Sequence, residues 1–173
     1  MAGRTVTLRG NPQTLEGAEL NVGASAPDFT LQANDMSDVT LASTAGKVRI
    51  LSTVPSLDTP VCDRETRRFN ELAAQIPGVE ILTVSVDLPM AQKRWCGAAG
   101  IEKVRCLSDH RTTDFGRKYG VLVKGGPLDR FLCRAVFVLD KNNKVVHAQY
   151  VGEIAEEPNY DAALDAARKA ASA

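Results

Sequence analysis

The chain lacks the features that mark membrane proteins and nucleic-acid-binding proteins. Its 173 residues include 21 Lys plus Arg and 21 Asp plus Glu, so no excess of positive charge attracts a phosphate backbone or an anionic lipid surface. No apolar run approaches the roughly 18 residues that a membrane-spanning helix needs. The first residues alternate between polar and apolar and contain no continuous apolar segment like that of a signal peptide. We therefore expect a cytoplasmic protein that binds neither nucleic acid nor membrane.

Patterns typical of metal and phosphate sites are missing as well. No two cysteines have Cys-x-x-Cys spacing, which argues against a zinc site and against a dithiol reductase motif. There is no glycine-rich phosphate loop, and no Ser-His-Asp order is visible. We therefore expect no cofactor and no metal. Because structural disulfides are rare in the cytoplasm, the cysteines are expected to be catalytic, metal-bound or buried and free. They are Cys62, Cys96, Cys106 and Cys133.

What the chain does contain is an alternation of β-type and helical patterns. Its length is typical of a single domain, residues 1–173. Period-2 alternation and β-branched runs predict strands at residues 5–9, 14–15, 26–31, 39–41, 48–54, 79–86, 104–107, 134–139 and 144–151. Helical patterns predict four helices. The first begins after Thr59, the second begins at residues 87–89, the third spans residues 112–119, and the last begins after Asn159.

This order of elements predicts the fold class. A β-α-β segment comes first and a β-β-α segment last, which indicates an α/β fold of three layers with a mixed central sheet flanked by helices. The thioredoxin-like fold has that order. Here the strands at 5–9 and 14–15, joined by a turn at 10–12, add an N-terminal β-hairpin.

The turn between the strand at 48–54 and the next helix is the strongest candidate for a reactive site. Thr59 is predicted to cap the helix with its side chain, and Pro60 suits the first helical position. Cys62 then lies in the first turn, where free N–H groups and the helix dipole favour a thiolate. The alternative is that Cys62 is an inert, buried, small apolar residue, as most cysteines are.

Residues 55–62 resemble a known signature. Pro55-x-x-x-Thr59-x-x-Cys62 is similar to the Pro-x-x-x-Thr/Ser-x-x-Cys motif of peroxiredoxins, and Pro-Ser-Leu-Asp-Thr-Pro-Val-Cys resembles the thiol peroxidase branch. The resemblance continues at Arg67, Phe69 and Asn70 and runs nearly end to end. It implies that Cys62 attacks a peroxide and becomes a sulfenic acid. It also implies that Pro55 shields the sulfur from water and that the Thr59 hydroxyl hydrogen-bonds the peroxide.

Two further positions match the thiol peroxidases, which are atypical two-cysteine peroxiredoxins. Cys96, in Ala-Gln-Lys-Arg-Trp-Cys-Gly, falls on the resolving cysteine, which forms an intramolecular disulfide with Cys62. Arg134, in Arg-Ala-Val, falls on the arginine that contacts the catalytic sulfur and the peroxide. The local patterns leave alternatives open: Cys96 as a packed helical residue, Arg134 as a strand end reaching solvent, and Arg130 as the nearest competing arginine.

The other two cysteines match no catalytic position of the family. Cys106 and Cys133 are predicted to be buried free thiols. Because neighbouring residues on a strand point to opposite faces, Cys133 is expected to face away from Cys62 if Arg134 faces it.

The resemblance implies a complete cycle and its partners. A hydroperoxide, either hydrogen peroxide or an organic one, oxidises Cys62, Cys96 condenses with the sulfenic acid, and thioredoxin reduces the disulfide. A homodimer is implied as well. If both cysteines lie on packed helices, the first turn after Thr59 and the segment 94–97 are expected to unwind before the disulfide closes. The alternatives are a non-catalytic thioredoxin-like binding protein and a cysteine-based metal carrier.

Overall fold

A mixed β-sheet with helices packed on it forms the centre of the molecule. The computed structural model describes residues 3–73 and 75–173. Within these residues the strands are β1 (Thr5–Leu8), β2 (Asn11–Glu16), β3 (Thr30–Ala33), β4 (Asp38–Thr40), β5 (Val48–Thr53), β6 (Val79–Ser85), β7 (Val104–Ser108), β8 (Leu122–Lys124), β9 (Ala135–Leu139) and β10 (Val145–Tyr150). The helices are α1 (Pro60–Ala73), α2 (Pro89–Ala99), α3 (Asp114–Lys118) and α4 (Tyr160–Ser172), with a 3-10 turn at Ala42–Thr44.

Seven strands form the central sheet in the order β10-β9-β5-β6-β7-β3-β4. The β5-β6 and β6-β7 pairs are parallel, and the other pairs are antiparallel. β5 lies between β6 and β9, and all six of its residues are buried, which fits its near-continuous β-branched and apolar sequence. The predicted three-layer α/β fold with a mixed sheet is therefore confirmed.

The two faces of the sheet have different coverings. One face packs against α1, α2 and α4 around a helix-side core that includes Ile50, Phe69, Ile81, Val136 and Leu164. The other face packs against α3 and the N-terminal hairpin around a hairpin-side core that includes Leu15, Leu82, Phe115, Tyr119 and Phe137. Residues that alternate along one strand thus enter different cores, as the period-2 geometry of strands requires.

The N-terminal hairpin is present, but two details differ from the prediction. Its turn is Arg9–Gly10, both at positive φ, so that Asn11 and Pro12 belong to β2 rather than to the turn. β8 was not predicted at all. It is three residues long and pairs with β2 to complete a small sheet, β1-β2-β8, so its strand character depends on a partner more than 100 residues away in the chain.

The helices begin close to the predicted residues. In α4, the Asn159 side chain accepts a hydrogen bond from the Ala162 amide, and Ala163, Leu164 and Ala167 are buried. The longest helix in the described part of the chain is α1, with 14 residues, and no helix there has the length and apolar character needed to cross a membrane.

Candidate active site

Cys62 lies in the first turn of α1, as predicted. The helix begins at Pro60, and the Thr59 carbonyl accepts the hydrogen bond of the Asp63 amide at 2.9 Å, which places Thr59 immediately before the helix. The predicted side-chain cap is wrong, because no amide among the described residues donates to the Thr59 hydroxyl, which itself donates to the Ser56 carbonyl at 3.1 Å. Its oxygen therefore keeps its lone pairs free to accept a hydrogen bond from a ligand.

Arg134 joins Cys62 to the sheet. It lies just before β9 and is almost fully buried, and its Nη2 donates to the Cys62 Sγ at 3.3 Å. Its Nη1 donates to Glu65 Oε2, and its Nε donates to the Ile154 carbonyl at 3.0 Å. All three nitrogens of the guanidinium are thus engaged, which fixes its plane beside the sulfur.

Glu65 completes this buried group. It lies three residues after Cys62 on the same face of α1, and its Oε1 accepts a hydrogen bond from the Ser52 hydroxyl at 2.7 Å. Burial raises the pKa of Glu65, while Arg134 and Ser52 oppose that shift. Burial alone would lower the pKa of Arg134, but Glu65 and Cys62 outweigh it and raise that pKa. The cation beside the sulfur is therefore retained at any pH at which the protein is folded.

A second anchor holds the turn that precedes the helix. Asp87, just beyond β6, accepts hydrogen bonds from the Ser56 hydroxyl at 2.8 Å and from the Leu57 amide at 2.9 Å. Ser85 donates to the same carboxylate at 2.7 Å. Because neighbouring parallel strands end at the same edge of the sheet, the residues after β6 can hold the loop after β5. This fixes the position of Pro55 and Thr59 relative to Cys62.

A cavity of about 240 Å³ is lined by Arg134, whose guanidinium contacts the Cys62 sulfur, while the buried Cys62 itself is not among the lining residues. Pro55, Thr59 and Arg134, which sequence resemblance had brought together, all line it. The remaining wall is mainly apolar and includes Val61, Leu128 and Ile154. Two arginines, Arg9 and Arg134, line the cavity together with the Thr59 hydroxyl and apolar side chains, so a small polar ligand with an apolar part fits this wall.

Cys96 does not meet Cys62 in this structure. All four cysteines are free and buried, and the only hydrogen bond of Cys62 Sγ to a side chain among the described residues comes from Arg134. Cys96, near the end of α2, instead lies with its Sγ 3.2 Å from the Sγ of Cys106 on β7. The hydrogen bond from Cys106 lowers the pKa of Cys96, against the effect of burial, and the Asn34 side chain acts in the same direction.

The competing positions are resolved as well. Arg130, the alternative to Arg134, has an exposed side chain and does not line the cavity. Cys133 belongs to the hairpin-side core, whereas Cys62, Cys96 and Cys106 belong to the helix-side core, so Cys133 faces away from Cys62 as expected. Among the residues that the structure describes, no cluster of three or more His, Cys, Asp or Glu is placed to hold a metal ion.

Glu65 and Asp87 are site residues that sequence reasoning missed. A signal for Glu65 was present, because residues 62, 65, 69 and 72 share one face of a helix and a carboxylate there falls on an otherwise apolar stripe. A buried carboxylate requires a charged or hydrogen-bonding partner. Nothing in the local pattern distinguished Asp87 from an ordinary residue before a helix.

Comparison with known proteins agrees with this geometry. The redoxin family model matches residues 21–164. The chain is 54% identical to a thiol peroxidase of Halalkalibacterium halodurans over 96% of this chain and 98% of that one, and 52% identical to a thiol peroxidase of Bacillus subtilis over 94% and 96%.

Solved structures give the same result. A peroxiredoxin-like protein from Aquifex aeolicus is 47% identical, covers 96% of this chain and 97% of its own, and superposes with a TM-score of 0.91. A thiol peroxidase from Chromobacterium violaceum, at 22% identity, 98% coverage of both chains and a TM-score of 0.90, shares the fold. Family model, relatives and structures point the same way: the chain belongs to the redoxin family and groups there with the thiol peroxidases.

Proposed function

We propose that this protein is a thiol-dependent peroxidase in which Cys62 attacks a hydroperoxide and Cys96 resolves the product. The observation that supports this most directly is the contact between Arg134 and the Cys62 sulfur, beside the cavity that Pro55 and Thr59 also line. The catalytic unit is proposed to be one domain, residues 1–173.

The first step is attack by the Cys62 thiolate on the terminal oxygen of the hydroperoxide. The O–O bond breaks, the sulfur becomes a sulfenic acid, and water or an alcohol leaves after taking a proton. Arg134 faces the charge that moves from sulfur to the leaving oxygen and is already held in place by Glu65, so little reorganisation is needed. We propose that the Thr59 oxygen accepts the O–H of a hydroperoxide, since its own O–H is donated to the Ser56 carbonyl. The apolar part of the cavity suits the carbon chain of an organic hydroperoxide as well as hydrogen peroxide.

The second step forms a disulfide. The Cys96 thiolate attacks the Cys62 sulfenic sulfur, and hydroxide leaves and is protonated to water. The lowered pKa of Cys96 increases the fraction of its reactive thiolate near neutral pH. An external dithiol, which we propose to be thioredoxin, then reduces the disulfide by exchange. We propose further that the protein acts in the cytoplasm as a homodimer.

A direct test is the oxidation of reduced protein by a hydroperoxide in the presence and absence of thioredoxin. With peroxide in excess we expect loss of the Cys62 and Cys96 thiols, and continuous peroxide consumption only when thioredoxin is present. Peroxide consumption that leaves both thiols unmodified would contradict the proposal.

The Cys62–Cys96 disulfide is expected to loosen two helix ends. In the reduced protein the Cys62 sulfur contacts Arg134, and the Cys96 sulfur contacts Cys106. A disulfide needs Cα atoms within about 7 Å, which is less than the 8–10 Å between the axes of packed helices. We therefore predict that hydrogen-exchange protection falls on oxidation at residues 59–66 and 93–97. Protection should persist in β6 and β9, because both strands lie inside the central sheet.

The hydrogen-exchange experiment requires that the Cys62–Cys96 disulfide does not rearrange. Because Cys106 lies beside Cys96, the protein to oxidise is Cys106→Ser, which lacks this neighbouring thiol. Peroxide-treated Cys96→Ser serves as the control without a disulfide. In the chain-entropy model the loop between the two cysteines stabilises the oxidised chain by about 4 kcal/mol, and unwinding offsets part of this gain. Equal protection of both segments in the two redox states would show that no unwinding is needed.

A further inference from the structure

In the cycle described so far, the contact between Cys96 and Cys106 only lowers the pKa of Cys96. The two sulfurs are 3.2 Å apart, one on α2 and the other on strand β7 of the central sheet. A disulfide has an S–S length of about 2.05 Å, so closing this pair requires the sulfurs to approach by little more than about 1 Å. Closing Cys62 with Cys96 requires both to leave their present partners.

We propose that Cys96 passes its disulfide bond from Cys62 to Cys106, so that the chain uses a second internal redox disulfide, Cys96–Cys106. This proposal rests on the roles assigned above to Cys62 and Cys96. It makes Cys106 a third catalytic cysteine, because its sulfur attacks a sulfur of the reacting pair.

The transfer is a thiol–disulfide exchange and needs no further oxidant. Cys106 loses its proton to solvent, and its thiolate attacks the Cys96 sulfur of the Cys62–Cys96 disulfide. The Cys106–Cys96 bond forms, the Cys62–Cys96 bond breaks, and Cys62 leaves as a thiolate. One disulfide and two electrons are conserved, so the chain remains oxidised by one peroxide equivalent.

The contacts that Cys62 and Cys96 regain after the transfer favour the Cys96–Cys106 disulfide over the Cys62–Cys96 disulfide. The leaving Cys62 thiolate returns to the Arg134 guanidinium, which is held in place by Glu65 and the Ile154 carbonyl. Cys96 returns to the place that it occupies in the reduced protein, beside Cys106. The ends of α1 and α2 can then refold, which removes the cost of keeping them unwound.

The pKa of the Cys106 thiol is also expected to fall once Cys96 has formed its disulfide with Cys62. In the reduced protein its hydrogen bond to Cys96, followed by burial, raises its pKa well above the ordinary value. When Cys96 leaves this contact to form a disulfide with Cys62, the hydrogen bond, which is the largest of these causes, is lost, while burial continues to raise the Cys106 pKa. The Cys106 thiol then ionises more readily and becomes a better attacking group.

A surface cleft gives an external reductant access to this second disulfide. A cleft of about 330 Å³ is lined by both Cys96 and Cys106 and bordered by Asn34, Asp35 and Arg105. Cys62, in contrast, is completely buried and does not line the cleft. An external dithiol entering this cleft meets the Cys96–Cys106 bond without disturbing the peroxide site.

The experiment counts peroxide and maps disulfides in the absence of any reductant. In the natural sequence one equivalent of hydrogen peroxide should yield Cys96–Cys106 with Cys62 free. A second equivalent should then leave a sulfenic acid on Cys62 that dimedone traps, so two peroxides are consumed per chain. Cys106→Ser should consume one and hold Cys62–Cys96, whereas Cys133→Ser, a buried thiol in the other core, should still consume two.

Each other outcome has a definite meaning. If the natural sequence stops at one equivalent with only Cys62–Cys96, the transfer does not occur, although the proposed peroxidase function stands. Formation of Cys96–Cys106 at the same rate in Cys62→Ser would also overturn the transfer, because the pair would then be oxidised without Cys62. No oxidation of Cys62 in any variant would overturn the proposed function itself. The mapping of the natural sequence needs no variant to fold.

Discussion

Cys62→Ser is expected to lose peroxide turnover completely, while Cys96→Ser is expected to react once and stop. A serine hydroxyl is a far weaker nucleophile than a thiolate, so Cys62→Ser has no group beside Arg134 that can attack the peroxide. In the second variant the peroxide site is intact, since Cys96 lies outside the cavity that Pro55, Thr59 and Arg134 line. It should consume about one peroxide per chain and accumulate a sulfenic acid on Cys62.

The two variants separate the roles because they fail at different stages. The measurement is peroxide consumption with and without thioredoxin, together with the mass of the intact chain. Cys133→Ser provides the matched control, because its thiol is buried in the hairpin-side core, and it should cycle like the natural sequence. Normal thioredoxin-linked cycling by Cys96→Ser would contradict the resolving role of that residue.

Arg134→Met is expected to slow peroxide attack by roughly ten- to a hundredfold. Hydrogen bonds from a charged group in a buried place are worth about 1.5–3 kcal/mol, and each 1.4 kcal/mol corresponds to about tenfold in rate. The guanidinium is the cation in contact with the sulfur, so its loss removes the group that faces the charge moving to the leaving oxygen. The rate constant is measured on the reduced protein by rapid mixing with peroxide.

Stability must be followed in the same experiment. Removing Arg134 leaves Glu65 buried without its cation, and breaking a buried ion pair costs about 3–5 kcal/mol. Arg134→Met with Glu65→Gln removes that unpaired charge and should recover part of the stability but not the rate. Arg130→Met, at an exposed position four residues earlier, should change neither. An unchanged rate constant in folded Arg134→Met would place Arg134 outside the reacting group.

The sequence predicted the start of α1 well because the signals there are local. A β-branched run, a turn with two prolines and a helical pattern place Cys62 in the first turn whatever the rest of the chain does. The alternation of strands and helices likewise fixed the fold class. The Thr59 side chain departed from its prediction: its hydroxyl donates to the Ser56 carbonyl, three residues back, and accepts no amide hydrogen bond of the helix.

The contacts that join distant segments were beyond local patterns. The pairing of Glu65 with Arg134 links residues 69 positions apart, and the Asp87 anchor links the turn before α1 to the end of β6. The Cys96–Cys106 contact depends on how α2 packs on β7, which neither periodicity nor family resemblance states. Resemblance brought Arg134 to the site, but only the packed structure shows what holds it there.

The central claim is that Cys62 is the residue that a peroxide oxidises first. The most direct test treats reduced Cys96→Ser with one equivalent of hydrogen peroxide in the presence of dimedone and locates the adduct by peptide mass mapping. We expect one adduct per chain, on Cys62, with Cys106 and Cys133 unmodified. An adduct on another cysteine, or none while peroxide is consumed, would contradict it.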